Sequence, residues 1–555
     1  MKLNRILLAA GALTGLVSIG WTDRLITKDG KILVVQKARQ LDSGDYELTF
    51  KNGTILCPTE EIREIEIEGN MSDYVPKNDD ERRKLEKGFV RYERKWLSKV
   101  QYENLLKKQA KARRERLEDI ASHSDFFNAY QKETKHFLVK TNSTPELLDY
   151  YSELLEAYYK LMDKQVGIKP TPKLRRTKMT VNIYRTRKDW EEQNEAGVGG
   201  GVVGYFSFQD ENLNFFYDSE DPTFTDWVAL HECTHLLTYL IEPQSWPRIW
   251  VNEGVADYFG SSDIVRNKKG QLTIIPGKIQ VDRILTVQQA IKEDKFVRLE
   301  ELFKIEKPQF TAFHYAHAWS FVYFLNNTKK YQKGFKKFFK LNYTIPKGVD
   351  YDWQPFPNVQ GTAKIITASE VRRILLESLK VKDVGKLQNE WLTFIQGIEI
   401  DAPEALYKRA YSALRGGKDE EYKQAFEDIN KAIEGGVETA RAFVTRAVLR
   451  IVVDKKNGVA ESVDDYRTAV ELSPLHAGFR MGFGQILAGH KMTAIGHSIT
   501  FGEGDRLYGD AKALKEAALQ MGLACELDPD NALYERMYGE FRDLYRGGSG
   551  PEEGQ

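Results

Sequence analysis

The hydrophobic and polar positions divide the chain into stretches of different periodicity. Residues 22–67 contain short runs with turn dipeptides between them, Asp29-Gly30 and Asn52-Gly53. This pattern predicts a small β unit built from hairpins. Residues 77–120 are densely charged with both signs, which indicates exposed helices around a short turn or hairpin in GFVRYERKWLS. We interpret that stretch as a solvated spacer, and a partner-binding arm is the alternative.

From about residue 126 the pattern becomes that of an α+β domain. The runs KHFLVKTN, MTVNIYRT, GVVGYFSF and NLNFFYD each predict a strand. The run TPELLDYYSELLEAYYKLM predicts an amphipathic helix with Ser143 or Thr144 as its N-cap. Further helices are expected around residues 315–326, 331–341, 368–379 and 384–396.

Beyond residue 404 two helix pairs of the same design follow each other. The segments KAIEG and TAVEL are 37 residues apart, and a third match, LACELDP, lies 55 residues further on. The longer third interval predicts an insertion at 490–508. These pairs resemble tetratricopeptide repeats, which form concave surfaces that bind proteins or peptides. A generic helical bundle is the alternative.

Composition says little about the class of partner. The 555 residues include 81 basic and 81 acidic side chains, so the formal net charge is zero. This balance gives no reason to expect nucleic acid or an anionic membrane as the main partner. Three cysteines that are far apart predict neither a disulfide framework nor a cysteine-based zinc knuckle.

The N-terminus has the pattern of a targeting signal. Lys2 and Arg5 precede an apolar run from Ile6 to Ile19, and the small residues Ser18 and Gly20 suit a cleavage site. This arrangement predicts a secretory signal peptide, with an uncleaved membrane anchor as the alternative. We therefore expect an extracytoplasmic protein, either periplasmic or secreted.

The stretch WVALHECTHLLTYLI carries the chemistry of the chain. Its apolar periodicity predicts one helix from Thr225 to Ile241, with Thr225 or Asp226 as its cap. His231 and His235 are four residues apart, so their imidazoles project from one face and can bind one zinc ion. Glu232 lies about 100° round the helix, where it can reach a zinc-bound water without being a ligand.

A mononuclear catalytic zinc needs a third protein ligand and one open position. Glu253 in WVNEGVADYFG is our candidate, on a second helix that ends at Gly260. Asp257, one turn later, can accept the remaining N–H of a zinc-bound histidine, and Cys233 points into the core. The alternative is a buried helix whose polar groups are satisfied without a metal.

HECTH followed by NEGVAD resembles the gluzincin metallopeptidases, the thermolysin and zinc-aminopeptidase group, and is closest in style to their peptidase-MA-like members. The resemblance implies a thermolysin-like zincin domain at 126–400, in which a mixed sheet with an antiparallel edge strand adjoins the active-site helices. It implies one zinc ion and the ligand set His231, His235 and Glu253, with Glu232 as general base.

By the same resemblance Tyr315 in FHYAHAW stabilises the oxyanion, and His314 and His317 are its neighbours. The alternative for these three residues is that they belong to a helix surface or core. The glycine-rich exopeptidase motif of the aminopeptidases is not evident, and GVGGG at 197–201 does not replace it. Aminopeptidase activity is therefore not predicted.

Together these features predict an exported zinc metallopeptidase that hydrolyses peptide bonds, with a peptide or protein as substrate. The alternative is a non-catalytic scaffold in which the repeats bind a protein partner. Nucleic acid is not expected as a partner, and a membrane is expected only through an uncleaved signal segment. The predicted segments are 1–20 (signal peptide), 21–70 (β unit), 71–125 (spacer), 126–400 (peptidase domain), 401–546 (repeats) and 547–555 (disordered tail).

Overall fold

The computed structural model of the chain describes residues 23–27, 31–41, 43–66, 76–92, 95–167, 178–194, 202–207, 210–218, 221–355, 362–416, 419–454, 457–495, 497–500, 506–529 and 531–547. The predicted signal peptide, the Asp29-Gly30 turn, GVGGG and residues 548–555 of the predicted tail lie outside them. The chain divides into two compact units. We name Asp119–Ser412 the central unit, and Met1–Glu118 together with Ala413–Gln555 the terminal unit.

Both units combine helices and strands, so the predicted α+β class is confirmed at that level. Among the helices of the described ranges, none has the length and apolar character needed to cross a lipid bilayer.

The central unit is built on a five-stranded mixed sheet. Its inner strands are parallel, and each edge strand runs antiparallel to its neighbour. The strand order is Gly204–Ser207, Asn212–Phe216, Met179–Tyr184, Phe137–Thr141 and Tyr130–Glu133. The four strands predicted from the sequence are confirmed, and the edge strand Tyr130–Glu133 was not predicted.

Helices connect and cover this sheet. Helix Pro145–Val166 joins two parallel strands, and Thr144 caps it by accepting a hydrogen bond from the Leu147 N–H, which confirms one of the two predicted caps. The helix that bears the two histidines, Pro222–Tyr239, lies beside it on the sheet, and we call it the motif helix. The other helices of this unit are Arg187–Gln193, Ile249–Gly260, Val281–Lys292, Leu299–Leu302, Ala312–Asn327, Lys329–Thr344, Ala368–Leu379 and Val384–Gln396, with 3-10 turns at Phe126–Asn128 and Lys307–Gln309.

Two of these helices are named by the residues they carry. Ile249–Gly260 is the glutamate helix, and Ala312–Asn327 is the tyrosine helix. Two hairpins complete the central unit, Ser262–Arg266 with Leu272–Pro276 and Tyr351–Pro355 with Thr362–Ile366.

The core of the central unit holds the glutamate helix in place. Every residue of that helix is buried, and Trp250 is fully enclosed. The Trp250 ring packs against Phe303, Phe321 and Phe338, with ring centroids 5.2 to 5.8 Å apart. Burying one such side chain contributes about 2–3 kcal/mol, so this cluster ties the helix firmly to its neighbours.

The terminal unit joins the two ends of the chain. Its N-terminal part forms two three-stranded sheets and a hairpin, built from Asp23–Thr27, Ile32–Val35, Lys37–Gln40, Tyr46–Thr49, Thr54–Cys57, Ile62–Glu66, Phe89–Tyr92 and Lys95–Ser98. The other helices of the chain are Asp79–Glu86, Lys99–Ser122, Pro403–Gly416, Asp419–Glu434, Ala440–Val453, Gly458–Glu461, Val463–Leu472, Ala477–Ala488, Ala511–Leu527 and Ala532–Gly547, and a 3-10 turn lies at Thr59–Glu61. A further hairpin, Lys491–Ala494 with His497–Thr500, occupies the predicted insertion.

The N-terminal strands and the C-terminal helices share one core, although the sequence had suggested separate segments. Leu523 and Leu527 pack with Leu25 and Leu48 in a single buried cluster. The Glu526 carboxylate accepts hydrogen bonds from the backbone N–H groups of the Asn52-Gly53 turn, at 2.8 Å each from Lys51 and Asn52. The terminal strands therefore form part of the same folding unit as the last helices.

Candidate metal centre

The motif helix begins one turn earlier than predicted. Asp221 caps it by accepting a hydrogen bond from the Phe224 N–H at 3.1 Å, and Pro222 occupies the first turn. The prediction of Thr225 or Asp226 as the cap is wrong. Thr225 instead accepts a hydrogen bond from the Asp218 N–H at 2.8 Å, and Asp226 accepts one from the Tyr150 hydroxyl at 2.8 Å.

Three side chains on two helices converge on one point. Nε2 of His231 and Nε2 of His235 are 3.2 Å apart, and each lies 3.5 Å from the same oxygen, Oε2 of Glu253. Among the described residues, these form the one cluster of three or more His, Cys, Asp or Glu side chains that could hold a metal ion. The structure thus places the three predicted ligands together.

Two glycines bring the helices close enough for this convergence. A Cβ at Gly254 would lie 2.8 Å from the Ala318 carbonyl oxygen, where the glutamate helix crosses the tyrosine helix. A Cβ at Gly260 would lie 3.2 Å from both the His231 Cβ and the Trp227 carbonyl oxygen on the motif helix. Close backbone approach at these two positions determines where Glu253 meets the histidines.

Asp257 positions one of the two imidazoles. Its Oδ1 lies 3.0 Å from Nδ1 of His231, and the carboxylate is fully buried. Its other oxygen forms an ion pair with the Arg283 guanidinium at 2.6 Å. Gln280 connects to both partners, because its amide donates to the Asp257 carbonyl oxygen and accepts from Nε of Arg283. This network fixes the His231 ring with Nε2 turned toward His235 and Glu253.

The electrostatics of the cluster favour a cation. Burial disfavours protonation of His231, but Asp257 and Glu253 outweigh it and raise the pKa of His231 to about 10. Burial likewise acts to raise the pKa of Glu253, and the two imidazoles outweigh it and hold that pKa well below its usual range. A charged carboxylate buried between two imidazoles is an environment that a proton or a metal cation stabilises.

Glu232 and Tyr315 face the same site. Glu232 is half-buried, and its charge acts on both His231 and Tyr315. Burial raises the pKa of Tyr315 far above its usual value, as do the charge of Glu253 and a hydrogen bond to it. Tyr315 therefore keeps its proton and can donate a hydrogen bond at the edge of the cluster.

The two neighbouring histidines have other partners. His314 bonds through Nδ1 with the Thr311 hydroxyl at the start of the tyrosine helix, 2.9 Å away. His317 is fully buried, and its Nδ1 lies 2.7 Å from the Phe313 carbonyl oxygen. Cys233 is fully buried in the core, as its place on the helix predicted. These three residues lie outside the cluster of candidate ligands.

A sheet edge runs along the motif helix. The strand Gly204–Ser207 forms one edge of the five-stranded sheet and is antiparallel to its single neighbour. A Cβ at Gly204 would lie 2.7 Å from Val228, and the Phe206 ring lies 5.5 Å from that of Tyr239. The edge strand thus packs against the helix that carries the histidines.

Arg283 is the site residue that the sequence did not indicate. It lies 26 residues after Asp257 on a separate helix, and its guanidinium also lies 5.4 Å from the centre of the Tyr315 ring. No local pattern marks an isolated arginine of this kind. A buried aspartate one turn after a predicted ligand indicates that a cationic partner exists, but not where in the chain it lies.

The comparison with protein families gives one match. Residues 228–345 match the model of a family described as a protein of unknown function, DUF1570. The matched stretch contains all six predicted site residues and extends through helix Lys329–Thr344. A comparison with curated proteins gave no match. The family description names no activity.

Proposed function

We propose that this protein is a zinc-dependent metallopeptidase of the gluzincin type, in which His231, His235 and Glu253 bind one zinc ion. The observation that carries the proposal is the convergence of two Nε2 atoms and one carboxylate oxygen, 3.2 to 3.5 Å apart. The three ligands come from two helices and from residues up to 22 positions apart in the sequence. Unrelated polar residues have no reason to meet in this way.

The donor set fits zinc. Zinc in catalytic sites takes three protein ligands, commonly two imidazoles and a carboxylate, at about 2.0–2.2 Å. Ligand atoms at tetrahedral positions with such bond lengths are separated by about 3.3–3.6 Å. The separations of 3.2 and 3.5 Å in the cluster agree with that requirement. Asp257 supplies the carboxylate partner that a zinc-bound histidine ordinarily has on its other nitrogen.

Zinc bound here would polarise the scissile carbonyl and acidify a coordinated water. The residues of the chain would then handle protons and hold the reacting groups. Glu232 accepts the proton of the attacking water on its carboxylate and passes it to the leaving amine. Tyr315 donates its hydroxyl hydrogen to the oxyanion that develops on the carbonyl. Asp257 holds the His231 ring in the orientation that turns Nε2 toward His235 and Glu253.

The surrounding fold suits an extended peptide. An edge strand can hold a peptide by main-chain hydrogen bonds, and among the described strands Gly204–Ser207 pairs only with Asn212–Phe216, beside the motif helix. We therefore assign the thermolysin-like zincin architecture to the stretch 126–400. We propose that the helix pairs beyond residue 401 bind a protein partner, as tetratricopeptide repeats do. We also propose that the N-terminal signal directs the protein to an extracytoplasmic location.

The test is proteolysis with matched metal measurements. The chain purified without chelator should cleave casein or members of a peptide library, lose that activity to a chelator and regain it with added zinc. Glu232→Gln should abolish turnover and still bind metal, whereas His235→Ala should lose both. Normal zinc binding with no cleavage of any peptide would favour the scaffold alternative.

A further inference from the structure

The helix Lys329–Thr344 carries a concentrated positive charge in a chain whose net charge is zero. Between Lys307 and Val349 the sequence contains eight lysines and no aspartate or glutamate. Seven of the eight lie on this helix or just after it, at positions 329, 330, 333, 336, 337, 340 and 347, and all seven are exposed. We call this surface the lysine face.

The helix is divided cleanly into two sides. At 100° per residue its six lysines fall within an arc of about 120°. The opposite side buries Tyr331, Phe335, Phe338, Phe339 and Tyr343 in the core. Along the axis the lysines from Lys329 to Lys340 extend over about 16 Å at 1.5 Å per residue. The result is a flat row of ammonium groups on a firmly anchored helix.

These charges are almost unopposed. Lys330 forms an ion pair with Glu390 at 2.9 Å. The other six lysines form no ion pair with any residue in the described part of the chain. Nearby carboxylates on the adjoining helix have other partners, since Glu370 and Glu377 both bind Arg373. A fold usually intersperses charges of both signs, so a patch of this density is typical of a surface that meets an anion.

The lysine face is separate from the metal centre. The buried side of this helix packs Phe338 on Trp250 of the glutamate helix, and the Tyr343 hydroxyl donates a hydrogen bond to the Asn252 side chain at 3.3 Å. The lysines point the opposite way, to solvent. They therefore do not line the edge strand Gly204–Ser207 where we place the peptide, and a role in holding substrate at the zinc does not explain them.

We propose that the lysine face docks the protein on a membrane surface rich in anionic lipid. Lysines in a row attract anionic headgroups by charge alone, and no exposed aromatic or aliphatic residue of this helix is available to insert. Nucleic-acid surfaces typically add arginine forks and exposed aromatic rings for stacking, and this face has neither. The sequence also predicts export, and an exported chain meets a membrane on its route. This inference does not depend on peptidase activity.

The test is vesicle binding by a chain that starts at residue 21, so that the apolar run at residues 6–19 cannot anchor it. The protein should cosediment with vesicles of phosphatidylcholine and phosphatidylglycerol and not with phosphatidylcholine alone. Binding should weaken steeply as salt rises from 50 to 500 mM, because the Debye length shrinks. Absence of binding to the anionic vesicles at low salt would overturn the proposal.

Two matched variants locate the effect. Replacing Lys333, Lys336, Lys337 and Lys340 with glutamine removes four charges from the lysine face. The control replaces four exposed lysines scattered over the same unit with glutamine, namely Lys160, Lys188, Lys269 and Lys292. One lysine near an anionic surface contributes about fivefold to partition, so the first variant should bind at least tenfold more weakly and the control should bind nearly as wild type.

Three outcomes would contradict the assignment. Equal losses in the two variants would mean that overall charge, not this face, drives binding. Tighter binding to double-stranded DNA than to anionic vesicles at the same salt would assign the face to nucleic acid. Unchanged binding in the first variant, with an unchanged circular dichroism spectrum, would show that the lysine face has no part in docking.

Discussion

The crossing of the glutamate helix and the tyrosine helix at Gly254 offers a sharp test of how the metal centre is positioned. The perturbation is Gly254→Ala, which adds one methyl group. That methyl would lie 2.8 Å from the Ala318 carbonyl oxygen and 2.9 Å from its carbon, against 3.4 Å for an ordinary contact. The obstructing atoms are backbone, so the two helices must separate by about 0.6 Å before the methyl fits.

The expected cost follows from two opposing effects. Overpacking of this kind typically costs about 1–3 kcal/mol, and alanine gains about 1 kcal/mol over glycine in a helix. Because backbone yields less than a side chain, we take the upper part of that range and expect a net loss of about 1–2 kcal/mol. Glu253 precedes the crossing directly, so the displacement should also weaken zinc binding at least tenfold.

The assay is urea unfolding followed by tryptophan fluorescence, together with competitive zinc titration. Trp250, Trp319 and Trp391 are fully buried in the central unit and report its unfolding. The matched control is Gly539→Ala, at a helical position where nothing lies within 4 Å of the added Cβ. Gly539 lies in the terminal unit, so the control should leave both the tryptophan-reported unfolding of the central unit and the zinc affinity as in wild type. Wild-type stability and zinc affinity in Gly254→Ala would refute the reasoning.

Three further predictions test separate parts of the site and core. Asp257→Asn should lower zinc affinity 10- to 100-fold in a competition titration, because it removes the carboxylate that orients His231, and unchanged affinity would contradict that role. Tyr315→Phe should lower kcat about 100-fold or more with little change in KM, and an effect on KM alone would place Tyr315 in substrate binding instead. Burial lowers the pKa of His317 from 6.5 to about 4, so the folded chain holds it neutral while the unfolded chain binds its proton below pH 6.5. Stability should therefore fall by about 3 kcal/mol as pH drops from 6.5 to 4, and His317→Phe should lack this component in urea titrations at the two pH values.

Most of the helices and strands of the central unit could be predicted from local sequence patterns. The i, i+4 histidines and the apolar periodicity around them place the motif helix, and its helical form is confirmed. The predicted helices at 368–379 and 384–396 agree with the structure to the residue. The cap was missed because Asp221 lies before a proline, where the apolar pattern has not yet begun.

Long-range partners could not be predicted in the same way. Arg283 and Asp257 lie on separate helices with a hairpin between them in the chain, and they meet only in the folded unit. Glu526 binds the Asn52-Gly53 turn across more than 470 residues of sequence. Neither residue differs in type or spacing from many exposed arginines and glutamates, so only the assembled structure identifies its partner.

Overall charge also concealed a local feature. The equal numbers of acidic and basic residues give no reason to expect an anionic partner, yet the total hides a 43-residue stretch that contains eight lysines and no acidic residue. The Debye length is about 10 Å at 0.1 M salt. A partner therefore responds to the charge of the surface patch that it approaches, and not to the net charge of the whole chain. A charged partner should therefore be inferred from the charge of each surface, and not from the net charge of the chain.

The most direct test of the central claim is the zinc content of the purified chain, measured by mass spectrometry of the metal. The proposed site predicts one zinc ion per chain in the wild type and in Glu232→Gln. It predicts less than a tenth of that in Glu253→Ala and His235→Ala, with circular dichroism spectra close to wild type once zinc has been removed from all four proteins. Zinc-free wild-type protein that takes up no added zinc, or variants that bind it as well as wild type, would contradict the account.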